Sequence, residues 1–305
     1  MSAVPERLDA PALPAPESPW RRFAASFFSD RIATASFALL LLLVLAALAA
    51  PLIAPQNPYD LGTVSVLDAR LAPGEKGGAG FTLWLGADGA GRDMLSAMLY
   101  GLRISLGVGV ASGLIALVLG MTIGLAAAWR GGKFDAFVMR VVDVQLSFPA
   151  ILVALILVAI LGKGIDKVIL ALVMVQWAYY ARTVRGTALV ERQKEYIEAA
   201  QCLALPGWRI VLRHLLPNCL APMIVVGTLQ TAHAISLEAT LSFLGVGLPQ
   251  TEPSLGLLIA NGFEYMLSGK YWISFYPGLA LLVTIMSINL VGDRLRDVLN
   301  PRLER

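Results

Sequence analysis

Residues 104–129 contain no Asp, Glu, Lys or Arg, and this run restricts the possible folds of the chain more than any other feature. An α-helix needs about 20 apolar residues to cross the hydrocarbon core of a bilayer, so the run is long enough. Only 15% of all residues are charged, whereas soluble domains carry about 25%. A chain this apolar cannot cover its core with polar surface. The lipid bilayer is therefore the expected surrounding medium, and no nucleic-acid partner is expected.

Five further apolar runs have lengths and compositions that suit membrane crossings. They are residues 32–59, 144–162, 168–181, 220–237 and 271–292. The apolar part of the first ends near Pro55, and the run at 220–237 is expected to continue past Glu238 to Phe243. The run at 168–181 is short, so residues 165–167 and Arg182 must extend it, with their charged ends reaching toward water. We predict an all-α membrane protein with six transmembrane helices.

The distribution of positive charge predicts the orientation of these helices. Six crossings place both termini on one side of the membrane. If the N-terminus is cytoplasmic, 17 of the 24 Lys and Arg residues are cytoplasmic as well. Positive residues favour that side, so both termini and the basic loop at 185–217 are predicted to be cytoplasmic. The long segments at 56–100 and 246–270 then face the outside.

The basic loop contains the stretch "YIEAAQCLALPGWRIVLRHLLPN" at 196–218, which predicts a helix, a turn and a second helix. Small apolar residues recur at helical spacing in its first part: Tyr196, Ala199, Ala200 and Leu203. The "LPGW" at 205–208 is expected to break the helix, and Pro217 to mark the return to the membrane. Such a helix could rest on lipid headgroups or dock on another protein. The narrow, alanine-rich apolar face favours a protein partner.

Motifs for catalysis are absent from the sequence. It contains no G-x-x-x-x-G-K-[ST] phosphate loop, no H-E-x-x-H metal motif and no G-x-S-x-G nucleophile motif. Cys202 and Cys219 flank the basic loop and are interpreted as free, packed thiols. We therefore expect no catalytic residue, no metal, no cofactor and no enzymatic activity of the chain's own. Energy for active transport would have to come from a partner.

A few polar residues inside the apolar runs are candidates for a pathway or gate: Asp143, Gln145 and Glu238. Each has a structural alternative as well. Arg140 and Asp143, three residues apart, could pair with each other. Glu238 could instead form a buried hydrogen bond to a neighbouring helix. Five glycines of the second run predict close helix crossings: Gly107, Gly109, Gly113, Gly120 and Gly124.

The stretch "EYIEAAQCLALPGWRIVLRHLLPN" resembles the EAA loop of ABC-type import permeases. Five residues match the family pattern: Glu198, Ala199, Ala200, Leu216 and Pro217. Ala204 stands where the family has glycine, and His214 where it has isoleucine, so Pro206 and Gly207 could supply the turn instead. The segments "LGADGAGRDMLSAMLYGLRISL", "LEATLSFLGVGLPQTEPSLG" and "VGDRLRDVLNPRLER" resemble the dipeptide/oligopeptide/nickel subfamily.

This resemblance implies an ABC importer permease (MetI-like) fold and a set of partners. They are a second permease, two cytoplasmic ATPase subunits, and a periplasmic or lipid-anchored substrate-binding protein. The implied ATPase-coupling residues are Tyr196, Glu198, Ala199, Ala200, Ala204, Leu216 and Pro217. Short peptides are the leading substrate class, while look-alikes carry nickel chelates, glutathione and oligosaccharides.

The implied organisation of the chain has five parts. They are a disordered cytoplasmic tail (1–19), an interfacial segment with the first transmembrane helix (20–55), a periplasmic segment (56–100), a permease core of five helices that contains the coupling loop 185–217 (101–295), and a cytoplasmic tail (296–305). The competing hypothesis is a secondary, ion-coupled transporter. It would need intramembrane charges and an internal repeat of the spans, and the sequence has few such charges and no visible repeat.

Overall fold

The computed structural model describes residues 18–299, apart from residues 61 and 79, and this part of the chain is almost entirely helical. Its helices are α1 (Pro19–Phe28), α2 (Arg31–Leu48), α3 (Ala50–Ile53), α4 (Met94–Arg130), α5 (Gly132–Leu146), α6 (Ala150–Leu161), α7 (Ile165–Glu191), α8 (Glu195–Cys202), α9 (Gly207–Ile210), α10 (Leu216–Phe243), α11 (Leu255–Phe263) and α12 (Trp272–Leu299). The described residues form no β-strand, only the two isolated bridges Lys76–Thr82 and Ala87–Asp93. The predicted all-α class is confirmed. Most of the predicted tail 1–19 and residues 300–305 lie outside the described part.

Four helical stretches of the described chain are long and apolar enough to cross a membrane. They are Arg31–Leu48, Met94–Arg130, Gly207–Phe243 and Trp272–Leu299, and the α5–α6 pair adds a fifth if it is a single bent span. The predicted fourth crossing corresponds to α7, which falls outside this set. Its 27 residues are long enough, but charged side chains occupy both of its ends. Six crossings and cytoplasmic termini stay predictions.

The predicted third crossing is wrong as an uninterrupted helix over 144–162. The axes of α5 and α6 meet at 89°, with the bend at residues 147–149. Pro149 has no backbone N–H and disfavours the helical conformation of Phe148 before it, so the helix stops and restarts in a new direction. The apolar part of the pair is α6, whose 12 residues span about 18 Å.

Other helices extend beyond their predicted apolar limits because polar residues cap or continue them. α4 begins at Met94, ten residues before the apolar run, since the Asp93 carboxylate accepts hydrogen bonds from the Ser96 N–H at 2.8 Å and from its hydroxyl at 2.6 Å. At the other end of the chain, α12 continues to Leu299, so residues 296–299 of the predicted tail are helical.

Close packing of α4 against α7 and α10 forms the centre of the molecule. A Cβ added at Gly120 would lie 2.5 Å from the carbonyl oxygen of Trp177, and one at Gly124 would lie 2.5 Å from that of Ala181. A Cβ added at Gly109 would lie 2.5 Å from the Ile235 side chain and 3.3 Å from the Thr231 carbonyl oxygen, both on α10. The predicted glycine crossings are therefore confirmed at these three positions. No atom lies within 4 Å of a Cβ at Gly107, which is not at a crossing.

The two ends of the helix bundle differ in their connections. At one end, here called the long-loop side, the described residues of the segment 54–93 pack on residues 244–271, and the Arg92 guanidinium donates to the Gln250 carbonyl at 3.3 Å. Asp88 organises this segment, because its carboxylate accepts from the N–H of Ala90 and from both the N–H and the side chain of Arg92. The opposite end, the α8 side, carries α8.

Candidate coupling site around α8

The first helix of the basic loop is present as predicted. α8 spans Glu195–Cys202, and both of its glutamates, Glu195 and Glu198, lie in the first turn. Carboxylates near a helix N-terminus stabilise it, because the first backbone N–H groups carry unsatisfied partial positive charge. A helix of eight residues is marginal alone, so its order must come from packing.

The turn after α8 is centred on Ala204. This residue has φ of 54°, in the left-handed region where the family has glycine. The Ala204 N–H donates to the Gln201 carbonyl at 2.9 Å, and the Leu205 N–H to the Ala200 carbonyl at 3.3 Å. These two bonds form a Schellman cap. The alternative in which Pro206 and Gly207 supply the turn is therefore wrong, and an alanine bears the left-handed strain.

One face of α8 is buried within the chain itself. Ile197 and Ala200 pack against Ile210 of α9, with Trp129 and Leu205 at the edges of the cluster. The predicted apolar face is therefore corrected: Tyr196, Ala199 and Leu203 are exposed, and only Ala200 of that set is buried. Ile197 offers a larger apolar side chain than any alanine, so its burial determines which face turns inward.

Contacts with the end of α4 hold the loop in place. The Arg192 guanidinium donates to the Ala128 carbonyl at 2.9 Å and lies 5.4 Å from the centre of the Trp129 ring. Gly207 packs under the same ring, where a Cβ would come within 2.9 Å of the indole nitrogen. α8 is thus attached to α4 as well as to the helices that precede and follow it.

Tyr196 is tied to the end of α7. Its hydroxyl donates to the Glu191 carboxylate at 2.7 Å, and the Lys194 ammonium donates to the other oxygen at 2.6 Å. Partial burial and the bond to Glu191 raise the pKa of Tyr196 to about 12. Tyr196 therefore remains a neutral hydrogen-bond donor at physiological pH.

The outward face of α8 is free within the described chain. Glu195, Glu198, Ala199 and Cys202 are exposed, and Leu203 next to them is 75% exposed. This surface combines two carboxylates with a small alanine and one apolar side chain. Chemically it suits a protein groove that offers N–H or guanidinium donors and can approach the helix backbone closely.

The second helix of the loop does not stop before the membrane helix. α9, a single π-turn over Val211–Leu215 and α10 form one continuous helix, which runs through Pro217, the residue predicted to mark the return to the membrane. Proline cannot bond to the carbonyl four residues earlier, that of Arg213, and this carbonyl lies in the π-turn where the helical register changes. Leu216 packs on the buried cluster that includes Leu215 and Cys219, while Pro217 is exposed.

Asp143 and Gln145 both contact α7. Asp143 forms an ion pair with Arg182, and not with Arg140 as the spacing suggested. The Gln145 amide donates to the carbonyls of Met174 and Val175. The bend between α5 and α6 lays α5 against α7, and this placement explains the change of partner. A pathway role for either residue stays a prediction.

Glu238 lies in a different part of the structure, at the long-loop side. It is completely buried, and its carboxylate accepts hydrogen bonds from Ser105 of α4 at 2.9 Å and from Ser242 at 2.8 Å. No hydrogen bond among the described residues joins it to Asp143 or Gln145. Its predicted place in a pathway stays a prediction, whereas the predicted buried bond to a neighbouring helix is confirmed.

Sequence reasoning missed two features. Asp135 of α5 and Arg185 of α7 form a two-point ion pair, and three serines surround Glu238. Ser242 could have been found, because it lies one helical turn after Glu238. The other partners are distant in the sequence and carry no local signal.

Among the residues the structure describes, no group of three or more His, Cys, Asp or Glu side chains is placed to hold a metal ion.

Comparisons with known proteins agree on one family. Residues 116–305 match the model described as binding-protein-dependent transport system inner membrane component, and residues 18–73 match the N-terminal TM domain of oligopeptide transport permease C. A protein of Brucella suis biovar 1 is 42% identical over 87% of this chain and 86% of its own length. The di/tripeptide transport system permease protein DppC of Pseudomonas aeruginosa is 36% identical, over 94% and 93%.

A solved structure shares the fold. The MetNI methionine ABC transporter in its inward-facing conformations superposes with a TM-score of 0.56, covering 67% of this chain and 97% of that chain. The sequence identity is 22%, so the likeness concerns the fold alone.

Proposed function

The chain belongs to the family of binding-protein-dependent transport system inner membrane components, as a permease subunit of an ABC importer, and we propose that its cargo is short peptides. The Pseudomonas relative, which matches nearly the whole chain, is named for di/tripeptide transport. The model matched by the N-terminal residues is named for oligopeptide transport. Both names support a peptide cargo.

The proposed complex contains a second permease, two cytoplasmic ATPase subunits and a substrate-binding protein that is periplasmic or lipid-anchored. An ABC importer needs an ATPase, and this sequence has no phosphate-binding loop. The proposed orientation places α8 in the cytoplasm, where the ATPases are. The excess of positive charge on that side of the chain supports it.

One face of α10 supports a pathway shared between two permeases. His233 and Ser236 are exposed, and Thr240 is partly exposed on the same face at helical spacing. Polar side chains facing lipid are costly, so a protein partner or an aqueous pathway is the more favourable neighbour. Nearer the start of α10, a groove of about 410 Å³ opens on its boundary with α12 and is lined mainly by apolar residues such as Pro222, Val226 and Leu229.

The outward face of α8 is the observation that carries the proposed coupling. α8 offers exposed carboxylates and a small alanine on a short helix, while its inner face is fixed to Ile210 and its flanking residues to Trp129. A force applied to α8 is therefore passed to α4 and to the continuous α9–α10 helix. We infer that ATP-driven closure of the ATPase dimer moves these two helices and so switches the pathway between its two open states.

Two native cysteines allow a test without any substitution. Cys202 is exposed on the outward face of α8, and Cys219 is buried in α10. In the purified permease pair without ATPases, a maleimide should modify Cys202 rapidly and leave Cys219 unmodified. In the complete complex, Cys202 should be protected. Equal modification rates of Cys202 with and without the ATPases would contradict docking on α8.

A further inference from the structure

Glu238 lies at the point on the long-loop side where α4, α10 and α11 meet. Ser105 comes from α4, Ser242 lies one turn further along α10, and both donate to its carboxylate. The third serine near this carboxylate is Ser254, which caps α11 by accepting from the Leu257 N–H at 3.3 Å. Glu238 and its three serine neighbours have no exposed surface.

Glycines bring the backbones around this carboxylate into direct contact. A Cβ at Gly101 of α4 would lie 3.2 Å from the backbone nitrogen of Leu255, the first residue of α11. A Cβ at Gly256 would lie 2.4 Å from the carbonyl oxygen of Ala239 on α10. The start of α11 is therefore wedged between α4 and α10, without space for a side chain on either side.

A buried carboxylate has a cost that apolar packing would avoid. Its desolvation is offset only when its oxygens accept hydrogen bonds of good geometry. The hydrogen bonds from the serines are directional, so they favour one arrangement of the helices over sliding alternatives. An apolar side chain of similar volume would fill the space without fixing the direction of α11.

We propose that Glu238 is a positioning residue, which fixes α11 and the loop after it as a preformed surface for the substrate-binding protein. The partner in this proposal rests on the function proposed above. Beyond the fixed start of α11, Phe263 is 59% exposed and Leu267 is fully exposed. A surface that is already ordered binds with less loss of conformational entropy. Glu238 acts through α11 and does not contact the cargo.

Ser105→Ala and Ser112→Ala form a matched pair for the test. Both serines are buried in α4, but the Ser112 hydroxyl bonds only to carbonyls of its own helix, such as that of Val108 at 2.7 Å. In the complete complex in nanodiscs, ATP hydrolysis is titrated with the cognate binding protein loaded with trialanine. Ser105→Ala and Glu238→Gln should raise the half-saturating concentration about tenfold, equal to about 1.4 kcal/mol. Ser112→Ala should leave it unchanged.

The same titration separates positioning from a purely structural role. A lower maximal rate at an unchanged half-saturating concentration in Ser105→Ala and Glu238→Gln would overturn the proposal. So would equal half-saturating concentrations in Ser105→Ala and Ser112→Ala.

If no binding protein stimulates ATP hydrolysis by the wild-type complex, the proposed function itself is refuted. A distance measurement tests the positioning of α11 independently of that result. Spin labels are placed at Phe263→Cys on α11 and at the exposed Val118→Cys on α4, with Cys202→Ser and Cys219→Ala as background. The distance distribution should broaden in Ser105→Ala and stay narrow in Ser112→Ala. Identical distributions in the two variants would overturn the positioning role.

Discussion

Asp135 and Arg185 form a two-point ion pair between α5 and α7, with Nε to Oδ1 at 2.6 Å and Nη2 to Oδ2 at 2.5 Å. Both side chains are largely sheltered, Arg185 at 30% and Asp135 at 16% exposure. The second pair between the same helices, Arg182 with Asp143, is more than half exposed at both partners. The sheltered pair therefore contributes more to holding α5, which turns sharply away from α6.

This difference predicts unequal costs for two similar substitutions. Arg185→Leu should lower the free energy of unfolding by about 1 to 3 kcal/mol, because it leaves a sheltered Asp135 without a partner. Arg182→Leu should cost at most about 1 kcal/mol, since exposed pairs are screened by water. Thermal unfolding of the purified permease complex measures both. Equal shifts in the midpoint would contradict the ranking.

Glycine should relieve the strain at Ala204. A non-glycine residue in the left-handed region costs about 1 to 2 kcal/mol of folding free energy, which a glycine avoids. Part of the stability gained by the substitution is lost again, because glycine has more conformational freedom in the unfolded chain. Ala204→Gly should therefore stabilise the α8 turn by about 0.5 to 1 kcal/mol. Hydrogen exchange of the Ala204 and Leu205 amides, whose N–H groups close the cap, reports this local gain.

Valine at the same position provides the opposite control. Its β-branched side chain tolerates the left-handed region poorly, so Ala204→Val should accelerate exchange at both amides. Faster exchange in Ala204→Gly than in the wild type would show that the turn is not strained by alanine.

The predicted orientation is checked with thiols on opposite ends of the bundle. Lys76 is exposed on the long-loop side and Cys202 on the α8 side. In intact cells that express the permeases without ATPases, an impermeant maleimide should modify Lys76→Cys and leave Cys202 unmodified. Inside-out vesicles should give the reverse pattern. Modification of Cys202 in intact cells would place α8 outside.

The apolar runs predicted the main helices because an uncharged stretch of about 20 residues is typical of a membrane-spanning helix and rare in soluble domains. α4 contains its predicted crossing, α12 contains all of its predicted crossing except Tyr271, and α10 reaches Phe243 as expected. The helix ends were less predictable. Asp93 extends α4 by capping it, and Pro149 bends the third crossing, although both residues carry a signal that local sequence rules recognise.

Contacts between helices could not be predicted from spacing. Arg140 lies one turn from Asp143 in the sequence, yet Arg182 pairs with it, since the bend after α5 determines which helix α5 faces. The same applies to Ser105 and Glu238, which are 133 residues apart. Hydrophobic periodicity predicted that α8 has two faces. Its inner face became evident only from the position of Ile210.

Ala199 and Ala200 are adjacent on α8, but the first is exposed and the second is buried, so they should respond differently to bulk. Ala199 is exposed, whereas Ala200 is 4% exposed and packs on Ile197 and Ile210. Ala199→Trp should leave the permease pair intact and prevent ATPase docking, because the added ring occupies the space of the partner. Ala200→Trp should instead disrupt α8 through overpacking, which typically costs about 1 to 3 kcal/mol.

Two measurements separate the effects of these substitutions. Co-purification of the ATPases should be lost in both variants, whereas hydrogen exchange at the Ala204 and Leu205 amides in the isolated permease pair should accelerate only in Ala200→Trp, where the helix is disordered. Gln193→Trp, at an exposed position outside α8, is the control for added bulk and should retain the ATPases. Full ATPase binding by Ala199→Trp would mean that the outward face of α8 is not the contact. A headgroup-bound helix would then be the better interpretation of the basic loop, since lipid tolerates a tryptophan at this depth.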